Sequence, residues 1–291
     1  MMTPTRKPVP ATSEHLFGMI DIGVNLTHKS FATDLADVLR RAWDAGVSTM
    51  LLTGTDLTLS AQAAELCRQC AGLWPGKLYA TAGVHPHHAG EVVTRSDWLD
   101  ELRALHQLHA DRIRAVGETG LDFNRNFSTR QDQITCFEAQ IALATELRQP
   151  LFVHDRDSDG LTGDLLNNQQ RELVAADSQV VVHCFTGTAS ELDTHLSADR
   201  YIGITGWVAD ERRGQDLAAL VPRIPDDRLL IETDAPYLMP RNHPDHRRQR
   251  RNEPANLIWV ARRIAELRGV SLSDLQTQTA ENARRLFRLS D

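Results

Sequence analysis

Short runs of apolar residues recur along the chain, and most are followed by a segment whose apolar positions have helical spacing. Nearly continuous apolar character is typical of strands that are buried on both faces. We predict eight such strands: Met19–Leu26, Thr49–Thr53, Leu78–Val84, Ile113–Gly117, Leu151–His154, Val180–Cys184, Tyr201–Thr205 and Leu229–Thr233. Strands that alternate with helices form a parallel sheet, and eight of them are required for an α/β fold of the (β/α)₈ barrel type.

The helices between these strands are predicted from apolar spacing and from the residues at their ends. The predicted helices are Phe31–Ala45, Leu59–Ala71, Asp97–His109, Thr129–Leu147, Pro254–Arg268 and Ser271–Arg288. Gly46 and Gly72 follow the first two as C-terminal glycines. Ser128 is the predicted N-cap of the fourth. The polar segment Asp155–Asp177 is predicted to contain an irregular helix.

Composition and charge limit the classes of protein that fit. The chain has 291 residues, of which 41% are hydrophobic and 24% charged, which indicates a globular protein. No change in composition divides it, so we predict a single barrel domain over residues 19–291 after a disordered tail over residues 1–18. The tail lacks the apolar stretch of a secretory signal, and no apolar run approaches the roughly 20 residues of a membrane span. With a net charge of −7, binding to nucleic acid would require a local basic patch or a bound cation.

The four cysteines do not form a disulfide framework in a chain of this size. Cys67 and Cys70 form a C-x-x-C sequence within a helical run, with no second pair to complete a zinc site. We interpret them as ordinary helix residues. Cys136 and Cys184 are isolated in the sequence, so we predict a reducing, cytoplasmic environment.

Polar side chains that can bind metal ions follow four of the predicted strands. Glu118 follows I-R-A-V-G, His154 ends L-F-V-H, His183 ends V-V-V-H and Asp234 follows L-L-I-E-T. The C-terminal ends of barrel strands meet at one face, where barrel enzymes have their active sites. Each residue alone could be a hydrogen-bonded core histidine or a carboxylate that caps a helix. Together they predict a divalent metal site, because two carboxylates buried close together repel unless a cation lies between them.

Further candidate residues lie at the same rim of the predicted barrel. His85 and His87 follow the third strand, although histidines in such a loop can simply be exposed. Asp122 and Glu232 are additional carboxylates near the predicted site. Glu232 could instead orient a metal ligand.

Arginines are concentrated after the eighth strand. They are Arg241, Arg247, Arg248, Arg250 and Arg251, with His243 and His246 between them. A charge run of this kind is often a solvated loop. This one is predicted to emerge at the catalytic face, where it would contact phosphates.

Several motifs, in order along the chain, resemble those of a known family. They are D-I-G-V-N-L at Asp21–Leu26, T-A-G-V-H-P-H at Thr81–His87, V-G-E-T-G-L-D-F-N-R-N-F-S at Val116–Ser128, V-H-C-F-T-G-T at Val182–Thr188, Y-I-G-I-T-G-W-V at Tyr201–Val208, D-E-R-R-G at Asp210–Gly214, L-L-I-E-T-D-A-P-Y-L at Leu229–Leu238 and R-N-E-P at Arg251–Pro254. On these residues the chain resembles the TatD family of metal-dependent deoxyribonucleases, and its TatD-proper branch in particular. The resemblance extends from about Met19 to Leu289.

The resemblance implies a TIM barrel of the metallo-dependent hydrolase type that cleaves phosphodiester bonds. It implies 3′-to-5′ exonuclease action on single-stranded DNA, extending to RNA, with Mg²⁺ as the usual cofactor, a cytoplasmic location and a role in DNA repair. By resemblance, the metal ligands are Glu118, His154 and His183, Asp234 is a ligand or catalytic carboxylate, and His85 lies near the scissile phosphate. We expect a monomer that binds DNA or RNA, with no obligate protein partner and no association with membranes.

The first strand departs from the pattern of the wider family. Many members carry an H-x-H pair there that binds one of two metals, whereas this chain has Gly23 and Asn25. The TatD-proper branch shares this feature. We therefore expect one firmly held cation, and a second that is weak or recruited by substrate.

The predicted reaction is in-line attack of water on a phosphodiester. Asp234 is the candidate general base, with Glu118 and His85 completing the catalytic set. The predicted substrate-binding residues are His85, His87, Asp122, Arg247, Arg248 and Arg251. Because imidazole ligands suit Zn²⁺ or Mn²⁺ better than Mg²⁺, we expect Mn²⁺ to support activity at least as well as Mg²⁺.

Two other functions are compatible with parts of this pattern. An amidohydrolase that cleaves carbon–nitrogen bonds would use the same barrel, but such enzymes depend on the H-x-H pair that is absent here. A catalytically inactive nucleic-acid-binding protein would not be expected to retain Glu118, His154, His183 and Asp234 together. Cleavage of a labelled oligonucleotide with metal and with chelator distinguishes the three functions.

Overall fold

Eight parallel strands form a sheet in which each strand is hydrogen-bonded to the next one along the chain. The computed structural model describes residues 18–290. Its strands are β1 (Met19–Val24), β2 (Val47–Leu52), β3 (Lys77–Ala82), β4 (Ile113–Asp122), β5 (Leu151–Arg156), β6 (Val180–His183), β7 (Tyr201–Ile204) and β8 (Leu229–Ile231). After β8, the N–H of Asp234 donates to the carbonyl of Gly23, and the N–H of Asn25 donates to the carbonyl of Ala235. These bonds bring β1 and β8 together and nearly close the sheet, which confirms the predicted (β/α)₈ barrel.

Helices cover the outside of the barrel and one of its ends. They are α1 (Leu35–Asp44), α2 (Leu57–Gln69), α3 (Ala89–Val92), α4 (Trp98–Leu108), α5 (Arg130–Leu147), α6 (Leu161–Asn168), α7 (Gln170–Ala175), α8 (Ala189–Ser197), α9 (Gln215–Leu220), α10 (Leu257–Arg268) and α11 (Leu272–Phe287). The segment predicted to contain one irregular helix contains α6 and α7. The sequence analysis did not predict α3, α8 or α9; α3 and α9 have only four and six residues, whereas α8 has nine.

The N-cap of α5 is Thr129, so the prediction of Ser128 is wrong. The Thr129 side chain accepts a hydrogen bond from the N–H of Asp132. Ser128 is engaged elsewhere: its hydroxyl accepts from the N–H of Gly90 at 2.9 Å and donates to the carbonyl of His87 at 3.0 Å. Ser128 therefore attaches the loop before α5 to the loop after β3.

The predicted ends of the fourth and fifth strands are also too early. β4 continues to Asp122, with a shift of register between Val116 and Thr119, and its last residue pairs with Arg156 of β5. Glu118 thus lies at an irregularity inside β4 instead of beyond its end. The register shift explains the error, because it interrupts the apolar pattern without ending the strand.

The core has two layers, one inside the barrel and one between the strands and the helices. Every strand contributes to the inner layer, whose members are Ile20, Ile22, Leu51, Tyr79, Ala115, Phe152, Val181, Tyr201 and Leu230. Ala280, Ala283, Leu286 and Phe287 of α11 join this cluster. Arg285 of α11 also bonds the hydroxyl of Tyr201, at the start of β7. The helix therefore covers the end of the barrel at which the strands begin, leaving the opposite end for a site.

Three further sequence predictions concern the tail, the thiols and membranes. The predicted tail lies outside the described residues except for Gly18. Cys67 is buried within α2, as interpreted, whereas Cys70 is the C-cap residue just after the helix; both are free thiols. Within residues 18–290, no helix has the length and apolar character needed to cross a membrane.

Candidate metal and nucleic-acid site

A cavity of about 910 Å³ opens at the end of the barrel where the strands finish. The histidines and carboxylates predicted from the sequence line it: His85, His87, Glu118, Asp122, His154, His183 and Asp234. These residues, which end or follow predicted strands in the sequence, therefore share one cavity.

Glu118 lies at the centre of this group. Its Oε1 atom is 2.7 Å from Nε2 of His183, 2.9 Å from Nδ1 of His154 and 3.3 Å from Nε2 of His85. The ligand atoms of His85, Glu118 and His154 all lie within 4.8 Å of one another. One carboxylate and three imidazoles thus gather around one point, although the resemblance assigned His85 to the phosphate and not to the metal.

The backbone before Glu118 requires glycine. Gly117 has a φ of 138°, which L side chains rarely adopt, and a Cβ there would lie 2.2 Å from the carbonyl oxygen of Phe152. The N–H of Glu118 donates to the carbonyl of Gly54 at 2.8 Å. These constraints bring the Glu118 side chain beside the two histidines, which are paired on adjacent strands as His154 and His183.

Glu232 supports the site from beneath. It is fully buried, and its Oε2 atom lies 3.3 Å from Nδ1 of His183 while Oε1 accepts a hydrogen bond from the N–H of Cys184. The ring of His183 also stacks on Phe152, with 4.4 Å between ring centroids. His183 is therefore held on one edge by Glu232 and on one face by Phe152.

Gly23 in β1 and Asn25 just after it, the two residues that depart from the pattern of the wider family, fit this arrangement. A Cβ at position 23 would lie 2.3 Å from Oε2 of Glu232, so the Glu232 carboxylate occupies the space beside Gly23. The Asn25 side chain donates to Oδ1 of Asp234 at 3.0 Å. Gly23 therefore leaves room for the Glu232 carboxylate, and Asn25 orients the Asp234 carboxylate; both acidic residues follow β8.

Asp21 is a buried acidic residue that does not line the cavity but bonds the segment carrying Asp234, and it was not among the predicted site residues. It is fully buried and accepts hydrogen bonds from the N–H of Thr233 at 2.9 Å and from its hydroxyl at 2.6 Å. Burial raises the pKa of Asp21 to about 8 despite these bonds. The available signal was an acidic residue within the apolar run of β1. Its contacts indicate that it joins β1 to the segment after β8.

The carboxylates and imidazoles strongly perturb one another. Burial would raise the pKa of Glu118, but the charges of His183 and His85 hold it well below its usual range. Burial would lower the pKa of His183, but Glu118 and Glu232 hold it well above its usual range. Burial, with the charges of Glu118 and Glu232, raises the pKa of Asp234 to about 7. A buried concentration of acidic groups of this kind favours a cation.

The geometry around His154 fits a metal ion. Its Nε2 atom is buried and has no hydrogen-bond partner among the described residues; the Oδ2 atom of Asp122 is 3.7 Å away. A buried polar atom without a partner is costly unless a ligand satisfies it. Imidazole nitrogens with a carboxylate oxygen are a donor set that first-row divalent metals accept.

Asp122 organises the rim of the cavity. Its Oδ2 atom lies 2.7 Å from Nε2 of His87, and Oδ1 accepts from the N–H groups of Asn124 and Arg125. The ring of Phe127 contacts His87 edge-on, with 4.7 Å between centroids. Because the Asp122 carboxylate is occupied by these bonds, its contribution to substrate binding would be to position His87.

The arginines after β8 do not share one location. Arg247 lines a separate cavity, and Arg248 is exposed and lines neither this cavity nor the one at the strand ends. Arg251 is bound by Asp34 at 2.7 Å and by Glu253 at 3.0 Å. The structure therefore does not bring Arg251 to the cavity where the sequence analysis expected it, because carboxylates already hold its guanidinium.

Comparison with known proteins gives a consistent result. A family model described as TatD related DNase matches residues 20–288. A relative from Erwinia tasmaniensis named 3'-5' ssDNA/RNA exonuclease TatD is 49% identical over 273 residues, which cover 93% of this chain and 100% of the relative. A relative from Dickeya dadantii with the same name is 50% identical over 272 residues, with coverage of 93% and 98%. The crystal structure of a TatD family hydrolase from Entamoeba histolytica has a TM-score of 0.82 at 29% identity and covers 93% of this chain and 98% of that one.

Proposed function

The chain belongs to the TatD related DNase family of nucleases, and on that premise we propose that it is a metal-dependent 3′-to-5′ exonuclease that acts on single-stranded DNA and RNA. The observation that carries the proposal is the convergence of His85, His154 and His183 on the Glu118 carboxylate, inside the cavity at the strand ends. Action as a cytoplasmic monomer, with a part in DNA repair, stays a prediction.

The residues that would hold the cation are Glu118, His154 and His183, with Asp234 beside them. The buried Nε2 of His154, which has no hydrogen-bond partner among the described residues, supports this choice, as does the position of Glu232 behind His183. A divalent cation supplies charge that polarises a phosphate oxygen and makes water more acidic. Gly23 offers no side chain and Asn25 is bonded to Asp234, so β1 provides little for a second cation.

Asp234 is the proposed general base. It lines the cavity with Glu118 and His183, and Asn25 fixes the orientation of its carboxylate. From this position it would accept a proton of the water whose oxygen attacks the phosphorus, while the ester bond from phosphorus to the oxygen of the preceding nucleotide breaks and that oxygen takes up a proton from solvent. No covalent nucleophile is required.

His85 is proposed to stabilise the charge that develops on the phosphate. Its ring is nearly buried and lies between Glu118 and His87, with 4.2 Å between the centroids of the two imidazoles. His87 in turn is held by Asp122. Positioned donors of this kind stabilise a transition state without needing to reorganise.

The walls of the cavity favour a strand whose bases are free to stack. Phe127, Trp207 and Tyr237 line it, and Phe127 and Tyr237 are 69% and 52% exposed. Aromatic rings at the surface bind unpaired bases by stacking, irrespective of sequence. This supports a single-stranded substrate.

A single-stranded DNA oligonucleotide with a fluorophore at its 5′ end tests the proposal. With Mn²⁺ or Mg²⁺ we expect a ladder of labelled products that shorten from the 3′ end by one nucleotide at a time. Chelator, or the Glu118→Ala variant, should abolish the ladder while circular dichroism shows a folded barrel. The same oligonucleotide with a blocked 3′ end is the matched control and should resist.

Two outcomes would contradict the proposal. Cleavage of the blocked oligonucleotide would exclude an exonuclease that starts at the 3′ end. Binding without cleavage, with every divalent cation tested, would indicate an inactive nucleic-acid-binding protein.

A further inference from the structure

A second cavity of about 570 Å³ lies in the loops beside the first. It is lined by Arg212, Met239, Arg241, His246, Arg247, Gln249 and Arg250. We call this cavity the arginine pocket. Its lining includes four guanidinium groups and no carboxylate, in a protein whose net charge is −7.

The charges of the arginine pocket are largely unneutralised. Among the described residues, no carboxylate forms an ion pair with Arg212, Arg247 or Arg250, and all three are exposed. Arg241 is the exception, since its Nε lies 3.1 Å from Oδ2 of Asp210. Exposed like charges close together are unfavourable without a counter-ion, so the pocket favours an anionic ligand.

Asp210 connects the two loops that form the arginine pocket. It is almost fully buried, accepts hydrogen bonds from the N–H groups of Arg212 and Arg213, and also contacts Arg241. The loop after β7 and the loop after β8 are therefore joined through one carboxylate, which holds Arg212 and Arg241 on the same wall.

The arginine pocket lies next to the first cavity along the chain after β8. Leu238 lines the first cavity and the next residue, Met239, lines the arginine pocket. A Cβ on Gly206 would lie 2.4 Å from the carbonyl oxygen of Leu238, so the two loops are packed closely at this wall. Trp207 and Tyr237 line the first cavity beside the same wall. The arginines are thus on the side of the first cavity on which Trp207 and Tyr237 lie.

We propose that the arginine pocket binds backbone phosphates of a single-stranded polynucleotide, on the 5′ side of the nucleotide that is removed. The inference rests on the proposed function, which puts the 3′ end of the strand at Glu118. Guanidinium groups bind phosphate oxygens in paired hydrogen bonds. Several free arginines in one pocket match the repeated charge of a polynucleotide, and their location matches the path of a strand that stacks on Trp207 and Tyr237.

The expected consequence is a dependence of the KM on substrate length. A strand of about 12 nucleotides extends beyond the active-site cavity and reaches the pocket, whereas a dinucleotide does not. Phosphate contacts outside the reacting centre contribute to binding without changing the chemical step, so they lower the KM and leave kcat unaltered.

The test compares the full chain with the Arg247→Ala/Arg250→Ala variant on oligothymidylates of both lengths. For the longer strand we expect the KM to rise at least about fivefold with kcat unchanged, and the slope of log affinity against log salt to become shallower by about 0.7 for each phosphate that the variant no longer binds. For the dinucleotide we expect no change in the KM.

Arg171→Ala is the matched control, because Arg171 is exposed and lines neither cavity. An unchanged KM for the longer strand, or an equal rise for both lengths, would overturn the proposal.

A binding measurement separates this inference from the proposed function. Fluorescence anisotropy of the labelled longer strand in chelator requires no cleavage. Weaker binding by the variant, with no cleavage by the parent protein, would support phosphate binding by the arginine pocket and contradict the proposed exonuclease activity. Normal cleavage, with equal binding by parent and variant, would support the exonuclease activity and contradict phosphate binding by the arginine pocket. Equal loss of affinity for duplex DNA of the same length would overturn the assignment to single strands.

Discussion

The Nδ1 atom of His183 lies 3.3 Å from the Oε2 atom of Glu232. The other ring nitrogen of His183 lies 2.7 Å from Glu118. A carboxylate in the position of Glu232 fixes both the orientation and the tautomer of a metal-binding imidazole. Glu232 therefore determines which nitrogen of His183 is presented to the site.

Replacement of Glu232 by glutamine should weaken metal binding without removing a ligand. We expect Glu232→Gln to reduce the affinity for Mn²⁺ by about 10- to 100-fold, because His183 loses its charged partner. Isothermal titration calorimetry measures the affinity. Glu191→Gln, at the exposed N-terminus of α8, is the control and should bind the metal as the parent does. Equal affinities for all three proteins would assign Glu232 a purely structural role.

Replacement of Gly23 by alanine should also disturb the contact between Glu232 and His183. The Cβ of Gly23→Ala would lie 2.3 Å from Oε2 of Glu232, so the carboxylate must move away from His183. We expect a lower free energy of unfolding, by about 1–3 kcal/mol, together with weaker Mn²⁺ binding. Denaturant unfolding and calorimetry measure the two effects. In Gly90→Ala the nearest atom to the new Cβ would be 3.4 Å away, so this control should be tolerated; an equal loss in both variants would contradict the steric argument.

Much of this site could be predicted because, in a barrel of parallel strands, residues that follow the strands in the sequence lie at the same end of the barrel. Glu118, His154, His183 and Asp234 all follow or end apolar runs, and parallel strands bring those positions to one face. The contact between Glu232 and Gly23 could not be derived in this way. It depends on how closely β1 approaches the end of β8, and the apolar pattern contains no information about that distance.

Neighbouring arginines show a second limit of sequence reasoning. Arg250 and Arg251 belong to the same charge run, but Arg250 lines the arginine pocket while Arg251 is bound by Asp34. The partner of Arg251 lies 217 positions away in the sequence. Only the closure of the barrel brings Arg251 and Asp34 together, so the charge run gave no sign of this ion pair, and the prediction placed Arg251 and not Arg250 among the substrate-binding residues.

Arg251 should therefore affect stability and not substrate binding. The Arg251 guanidinium lowers the pKa of Asp34 to about 2 in the folded protein. A carboxyl group with a lowered pKa stabilises the fold above its unfolded pKa of about 3.9, and this contribution disappears as the pH falls from there towards 2. Because the side chain of Asp34 is 30% exposed, solvent reduces the effect, and we expect Arg251→Ala to lower the free energy of unfolding by about 1 kcal/mol near pH 7.

Urea unfolding at neutral pH and at about pH 3 checks the sign, since the difference between parent and Arg251→Ala should shrink in acid. Arg250→Ala is the matched control from the same run and should leave stability unchanged. A rise in the oligonucleotide KM of Arg251→Ala, with no loss of stability, would restore the sequence-based assignment to phosphate.

Asp234 should affect the chemical step more than binding. If it accepts the proton of the attacking water, Asp234→Asn should lower kcat by about 10²- to 10⁴-fold, because the amide cannot act as a base. The affinity for an oligonucleotide in chelator should change by no more than about twofold, since Asp234 is not proposed to bind phosphate. Single-turnover kinetics and anisotropy provide the two measurements. Full activity in Asp234→Asn would show that another group accepts the proton.

The ligands of the site also predict which cation is effective. Mg²⁺ prefers oxygen ligands and retains its waters, whereas Mn²⁺ accepts imidazole more readily. Here three imidazoles surround the single carboxylate of Glu118, and Nε2 of His154 has no hydrogen-bond partner among residues 18–290. We expect chelator to abolish cleavage, and Mn²⁺ to restore it at concentrations equal to or below those required for Mg²⁺. Titration of the metal-free protein with each cation, with cleavage of the 5′-labelled oligonucleotide as the readout, measures this order. Activity with Mg²⁺ and none with Mn²⁺ would mean that oxygen atoms from substrate and water, and not the imidazoles, dominate the coordination of the ion.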